Sequence, residues 1–268
     1  MERAQTIQHL WKGETTDLAV RSLPVASNEN AKNHANTLRP GFVWLGGFRS
    51  DMTGTKAQAM VEHCQELGLA ATRFDYSGHG QSGGSFVDGT ISRWVSESLH
   101  VLETATTGPQ VLVGSSMGGW IALRMALELQ KVAGSDRLAG LLLIAPAPDF
   151  TQMLMEPNFT AEQKQILEAE GFIEEPSEYS HEPTIITRSL IEDGRNNLVL
   201  DRDLNFGAPI HILQGMADPD VPHTHALKLV DALVHDDVTL TLIKQGDHRL
   251  SRDEDIATLT RTMDCFTT

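Results

Sequence analysis

Residues 111–120 read Val111-Leu112-Val113-Gly114-Ser115-Ser116-Met117-Gly118-Gly119-Trp120. A short apolar, β-branched run stops at Gly114, and a stretch with helical spacing begins at Met117. The pattern Gly-x-Ser-x-Gly between them describes a turn so tight that a side chain two residues before or after the serine would strike neighbouring backbone. Ser116 would then stand at the start of a helix with its hydroxyl exposed, and Ser115 falls out of frame. The pattern alone also fits an ordinary glycine-rich turn; the flanking strand and helix give it meaning.

The same alternation extends in both directions. Upstream, Phe42 to Leu45 reads as a strand ending in Gly46-Gly47, Thr53 to Leu67 as a helix, Leu69 to Phe74 as a strand and Ile91 to Thr104 as a helix. Downstream come a helix from Met117 to Leu129, strands at Leu141 to Ile144 and Ile210 to Leu213, a helix from His223 to Val234, a strand from Val238 to Ile243 and a closing helix from Asp253 to Cys265. Thr6 to Pro24 alternates apolar and polar positions, as a strand pair at a sheet edge does, and the polar run Ser27 to Thr37 ends that pattern. Residues 1–268 therefore predict a single α/β domain: a mostly parallel central sheet with helices on both faces.

One interval breaks the rhythm. The stretch between Ala145 and Ile210 is too long for a plain loop. Within it, Thr160 to Glu170 reads as a helix N-capped by Thr160 and stopped before Gly171. Residues 147–205 are accordingly expected to form an inserted helical cap or lid. Its apolar residues Met153, Leu154, Met155, Phe159, Phe172 and Ile173 suit either an acyl group or packing against the main domain.

A serine hydroxyl is a poor nucleophile, so a base must take its proton and an acid must hold that base in the right tautomer. Asp218 lies in the turn Gln214 to Pro222 after the next-to-last strand, and His248 lies in Gly246-Asp247-His248-Arg249-Leu250 after the last one. The chain order Ser116, Asp218, His248, each after a parallel strand, is the order of an α/β-hydrolase. Asp220 and Asp149 are alternatives to Asp218. The backbone N–H groups of Met117 and of Phe48, after Gly46-Gly47, are the expected oxyanion donors, each typically worth about 3 kcal/mol in the barrier. Protonation of His248 would remove the base. His223 and His225 read as a surface pair rather than metal ligands, since no third ligand stands beside them. Asp75 reads as a turn-fixing carboxylate, and His79 as a residue that either lines the site or completes a turn.

Several longer motifs carry a resemblance: Gly47-Phe48-Arg49-Ser50-Asp51-Met52-Thr53-Gly54-Thr55-Lys56, Arg73-Phe74-Asp75-Tyr76-Ser77-Gly78-His79-Gly80, the nucleophile turn through Trp120, Gly215-Met216-Ala217-Asp218 with Val221-Pro222, and Asp247-His248-Arg249. From about Pro40 to the C-terminus the chain resembles the abhydrolase-domain family of palmitoyl-protein thioesterases and acyl-glucuronide esterases and their bacterial relatives. The cap matches only loosely, through Pro176-Ser177-Glu178-Tyr179-Ser180. The resemblance implies Ser116 as nucleophile, His248 as base and Asp218 as orienting acid, acting on a small or protein-linked acyl ester or thioester. A general short-chain carboxylesterase, a serine peptidase and a ligand-binding protein on a hydrolase fold are the other readings.

Composition narrows the classes further. A formal net charge of −15 repels phosphate backbones and anionic lipid, so nucleic-acid binding is not expected. Cys64 and Cys265 are too few and too far apart for a disulfide framework or a thiolate cage, and two free thiols are expected. No metal or organic cofactor is expected. The longest apolar stretch, Leu138 to Ala147, is about half of the ~20 residues a membrane helix needs, so stable membrane insertion is not expected. The first residues lack the apolar run of a signal peptide and include Glu2, Glu14 and Asp17, from which a cytoplasmic location is expected.

Overall fold

Lys12 and Gly13 both adopt positive φ, 47° and 90°, the backbone signature of a two-residue hairpin turn whose twist matches the strands it joins. The turn connects β1 (Arg3–Trp11) to β2 (Glu14–Leu23) with Ile7 opposite Leu18. The computed structural model describes residues 1–25, 39–176 and 183–267. The polar run Ser27 to Thr37 and the Ser177 to Ser180 part of the resemblance lie outside the described residues.

Further strands follow as β3 (Gly41–Leu45), β4 (Ala71–Phe74), β5 (Gln110–Ser115), β6 (Leu138–Ile144), β7 (Phe172–Glu175), β8 (Thr184–Thr187), β9 (Ile210–Gly215) and β10 (Val238–Ile243). Helices are α1 (Thr55–Leu67), α2 (Ile91–Ala105), α3 (Met117–Gln130), α4 (Ala161–Glu170), α5 (Arg188–Arg195), α6 (His223–Ala232) and α7 (Asp253–Asp264). Eight strands form one sheet in the order β1-β2-β4-β3-β5-β6-β9-β10. β1 and β2 pair antiparallel, as does β2 with β4, and every later pair is parallel. This is the α/β-hydrolase arrangement that the alternation of elements predicts.

β3, β4 and β5 are buried along their whole length, which is why Phe42 to Leu45 and Val111 to Val113 read as continuous apolar runs; β4 instead buries Thr72 and Arg73, whose guanidinium is paired with Glu2 at 2.6 Å. On one face α2, α3 and α6 cover the sheet with Trp94, Trp120, Ile121 and Leu229; on the other, α1 and α7 contribute Met60, Cys64, Leu259 and Met263. The strand expected from Leu69 begins at Ala71. Gly68 closes α1 with φ 67°, and the Leu69 amide donates to Cys64 O at 2.8 Å, so Leu69 is committed to the helix end. Cys64 and Cys265 are both free; burial pushes the Cys64 thiol up to about 12. No helix of the described residues is long and apolar enough to cross a membrane.

Between β6 and β9 the chain forms a π turn (Thr151–Met155), α4, an antiparallel ribbon of β7 and β8, and α5. Thr160 caps α4 in a reciprocal box with Gln163, and Gly171 at φ 86° ends it. The ribbon was not in the helical expectation for this segment: its strands are four residues long and mostly solvated, too short for a period-2 pattern to stand out. Phe159, Leu167, Ile173, Ile186 and Ile191 form a small apolar cluster of their own here.

Candidate active site

Gly114 and Gly118 explain the nucleophile turn sterically. A Cβ on Gly114 would overlap the Gly118 carbonyl, and one on Gly118 would overlap the carbonyl of Leu45 in the neighbouring strand. Between them Ser116 takes φ 55° and ψ −117°, a region that costs a side-chain-bearing residue about 1–3 kcal/mol. The turn is held by the Ser116 amide donating to Ile144 O at 2.9 Å and by the Ala147 amide donating to Ser116 O at 3.1 Å. Strain at this position, locked by neighbours on both sides, projects the hydroxyl from the end of β5.

The loops after β9 and β10 bring two further side chains to that hydroxyl. His248 Nε2 lies 3.0 Å from Ser116 Oγ, and His248 Nδ1 lies 2.8 Å from Asp218 Oδ2. With Nδ1–H donating to the carboxylate, Nε2 is left as acceptor for the serine proton. Asp218 is itself anchored: Oδ1 accepts the backbone amides of Asp220 at 2.9 Å and Val221 at 2.8 Å, and Oδ2 accepts from Gln214 Nε2 at 3.2 Å. The structure thus brings Ser116, Asp218 and His248 together.

Neither alternative takes the place of Asp218 on His248 Nδ1. Asp220 gives its backbone amide to Asp218 Oδ1, and its carboxylate lies within 4.8 Å of the Asp218 carboxylate and the His248 ring. Asp149, buried at the root of the inserted segment, accepts the amides of Val199 at 2.9 Å and Leu200 at 2.9 Å, and burial raises its carboxyl above the usual range. His225 is a correction to the sequence reading. It is buried rather than on the surface, with Nε2 2.7 Å from Pro148 O, and desolvation lowers its pKa. The reason is its place on the sheet-facing side of α6, beside the equally buried Ala226. Asp218, Asp220 and His248 stand close enough to share an ion, but both ring nitrogens of His248 are already engaged by Asp218 and Ser116.

The β3–α1 loop lies against the nucleophile: a Cβ on Gly47 would sit 3.4 Å from both Ser115 O and Ser116 Cβ. The Phe48 amide follows directly. Met117 is the first residue of α3, where an N–H has no acceptor within the helix. These are the two expected oxyanion donors, one from the β3–α1 loop and one from the start of α3. The Phe48 ring is fixed against Phe86, Phe150 and Trp94, with centroids 4.9, 5.8 and 6.2 Å away. Among the cap residues expected to meet either an acyl group or the main domain, Phe159 and Ile173 pack within the insert, Leu154 and Met155 pack partly on the main core, and Phe172 is exposed.

Several positioning contacts escaped the sequence. Asp75 does fix a turn, but it also reaches across: Oδ1 accepts the Met52 amide at 2.7 Å while Oδ2 accepts the Gln81 amide at 2.8 Å. His79 completes the same arrangement, with Nδ1 3.1 Å from Ser77 O and Nε2 accepting the Arg49 amide at 3.2 Å. Burial lowers its pKa, and the neutral ring with Nδ1–H is the tautomer these partners require. Gln214, fully buried beside Asp218, was visible only as the residue before a strand-ending glycine.

Residues 42–259 match the Alpha/beta hydrolase family. Over 228 residues the chain is 38% identical to the mitochondrial palmitoyl-protein thioesterase ABHD10 of Mus musculus, covering 84% of this chain and 74% of that one. A solved structure from Agrobacterium vitis S4, assigned to the hydrolases without a named substrate, is 48% identical with a TM-score of 0.93 and full coverage of both chains. The mouse alpha/beta hydrolase domain-containing protein 10 structure is 31% identical with a TM-score of 0.81 over 98% of each chain.

Proposed function

The chain belongs to the alpha/beta hydrolase family and is a hydrolase, and from that premise we propose that it cleaves carboxylic esters or thioesters through an acyl-enzyme on Ser116. The observation that carries this reading is the unbroken relay of 2.8 Å from Asp218 to His248 and 3.0 Å from His248 to Ser116.

As Ser116 Oγ bonds to the acyl carbon, its proton passes to His248 Nε2, and the negative charge on the former carbonyl oxygen is met by the Phe48 and Met117 amides. Collapse breaks the bond to the leaving alkoxide or thiolate, which takes the proton from Nε2. Water then repeats the sequence and frees the carboxylic acid. Asp218 remains a carboxylate throughout and stabilises the imidazolium. Because the oxyanion donors are backbone groups fixed before substrate arrives, they need no rearrangement at the moment of reaction.

Thioesters, and among them long-chain acyl groups on protein cysteines, are the first substrates to test, on the strength of the ABHD10 relatives' name; acyl glucuronides, which the family resemblance in the sequence adds, are the second. The test compares a palmitoyl-thioester peptide, an acyl glucuronide, short-chain aryl esters and unmodified peptides with the intact protein and Ser116→Ala. Turnover of acyl esters or thioesters that disappears in the variant supports the proposal. A profile restricted to peptides, or labelling of Ser116 by a fluorophosphonate with no acyl turnover, overturns it.

A further inference from the structure

Lys56 is the second residue of α1, at the end of a helix where the partial charge is positive and a cation is disfavoured. Its N-cap is Gly54, and no acidic residue occupies the first turn. The residue is half-buried. Its Nζ donates to the carbonyl of Arg249, and Ser251 Oγ lies 3.5 Å away. Ser251 donates to that same carbonyl at 2.9 Å. Arg249 is the residue after His248, whereas Lys56 follows the loop that carries Phe48.

We propose that Lys56 is a positioning residue for the reaction proposed above: from α1 it grips the loop after β10 and keeps the His248 imidazole in line with Ser116. The inference rests on that reading of the two residues. One side chain thereby joins the segment bearing an oxyanion amide to the segment bearing the base. The rest of the loop supports the same geometry: the Leu250 amide donates to Asp247 Oδ1 at 2.9 Å, and buried Leu250 adopts φ 44°.

The electrostatics distinguish positioning from plain stabilisation. Burial, the largest cause, lowers the Lys56 pKa from 10.5 to about 8. Asp247 in the same loop and Asp255 on α7 act to raise it, and Arg249 acts to lower it. A lysine whose folded pKa lies below its unfolded one binds fewer protons folded than unfolded between those values, so stability rises with pH across about 8 to 10.5. At neutral pH the half-buried amine keeps its charge, and a charged donor holds a carbonyl about twice as strongly as the neutral amine present above the folded pKa. Removing the charge is therefore expected to lower activity while sparing stability.

The test uses Lys56→Met, which keeps the stem and removes the charge, and reads the second-order rate of Ser116 labelling by a fluorophosphonate, so no natural substrate is needed. The expected result is a labelling rate at pH 7 at least tenfold below the parent with Tm unchanged or higher. In the parent, the rate should fall as pH rises above about 8, and the variant should lose that fall. A rate within twofold of the parent, or a slower rate accompanied by a lower Tm, would overturn the proposal. Should the variant not fold, the parent decides: a labelling rate flat from pH 7 to about 9.5 overturns it. A parent that labels at Ser116 without turning over any acyl substrate removes the esterase reading and leaves the Lys56 comparison intact. A parent that never labels removes both.

Discussion

Arg49 Nη1 donates to Pro183 O at 2.8 Å and to Thr184 Oγ1 at 3.0 Å, so the loop holding the Phe48 amide is tied to the first residue of β8 in the inserted segment. The Arg49 backbone amide is meanwhile fixed by His79, and its guanidinium lies 5.9 Å from the Phe86 ring centroid. Arg49 takes φ 58°, in the left-handed region. Arg49→Met should lower kcat/KM by about 2- to 5-fold, the range expected of an exposed polar tie. Identical parent and variant kinetics would remove the tie from the account.

Replacing Ser116 by Ala removes the nucleophile, and turnover should fall by about 10⁴- to 10⁶-fold. Asp218→Asn is the more discriminating change. It leaves the amides of Asp220 and Val221 an acceptor but presents an N–H to His248 Nδ1, favouring the wrong tautomer, and kcat should drop by about 10³- to 10⁴-fold. Circular dichroism should be unchanged in both. Near-parental activity in Asp218→Asn would remove Asp218 from the triad.

Asp75 joins two loops through two amides, the buried one of Met52 and the part-buried one of Gln81, and Asp75→Asn can satisfy only one of them. Leaving the other unpaired should cost about 1–3 kcal/mol of stability. Denaturant unfolding measures this directly. An unchanged midpoint would mean that water replaces the missing acceptor.

His79 and His225 are both held neutral by burial, with folded pKa values below the ordinary 6.5. Between the folded and unfolded values the unfolded chain binds more protons, so stability is lost as pH falls below about 6.5. Thermal unfolding should show Tm declining from pH 7 to pH 5. His225→Gln, which keeps an amide donor for Pro148 O, should shallow that decline. A variant with the parental slope would assign the effect to other groups.

The sequence disclosed the parallel core because strands such as Phe42 to Leu45 and Val111 to Val113 are buried on both faces and so read as unbroken apolar runs. It disclosed Ser116 because glycines are required by collisions visible on either side of it. Contacts such as Asp75 to Met52, Arg49 to Pro183 and Lys56 to Arg249 were silent, since each joins residues distant in the chain through a backbone group, and a backbone group has no letter. His225 was misplaced because two histidines at a helix start look solvated until the helix is rotated onto its sheet. The β7–β8 ribbon fell below the length at which alternation identifies a strand.

Asp149 receives amides from Val199 and Leu200, so the excursion that leaves the sheet near residue 149 returns to the very carboxylate it departed from. Its ends are pinned together independently of whatever lies between, and closing a longer excursion costs only about 0.6 kcal/mol per doubling of length. The segment is thereby a cassette. Evolution or an engineer can exchange its contents while the purse string at its neck spares the sheet beneath from the experiment.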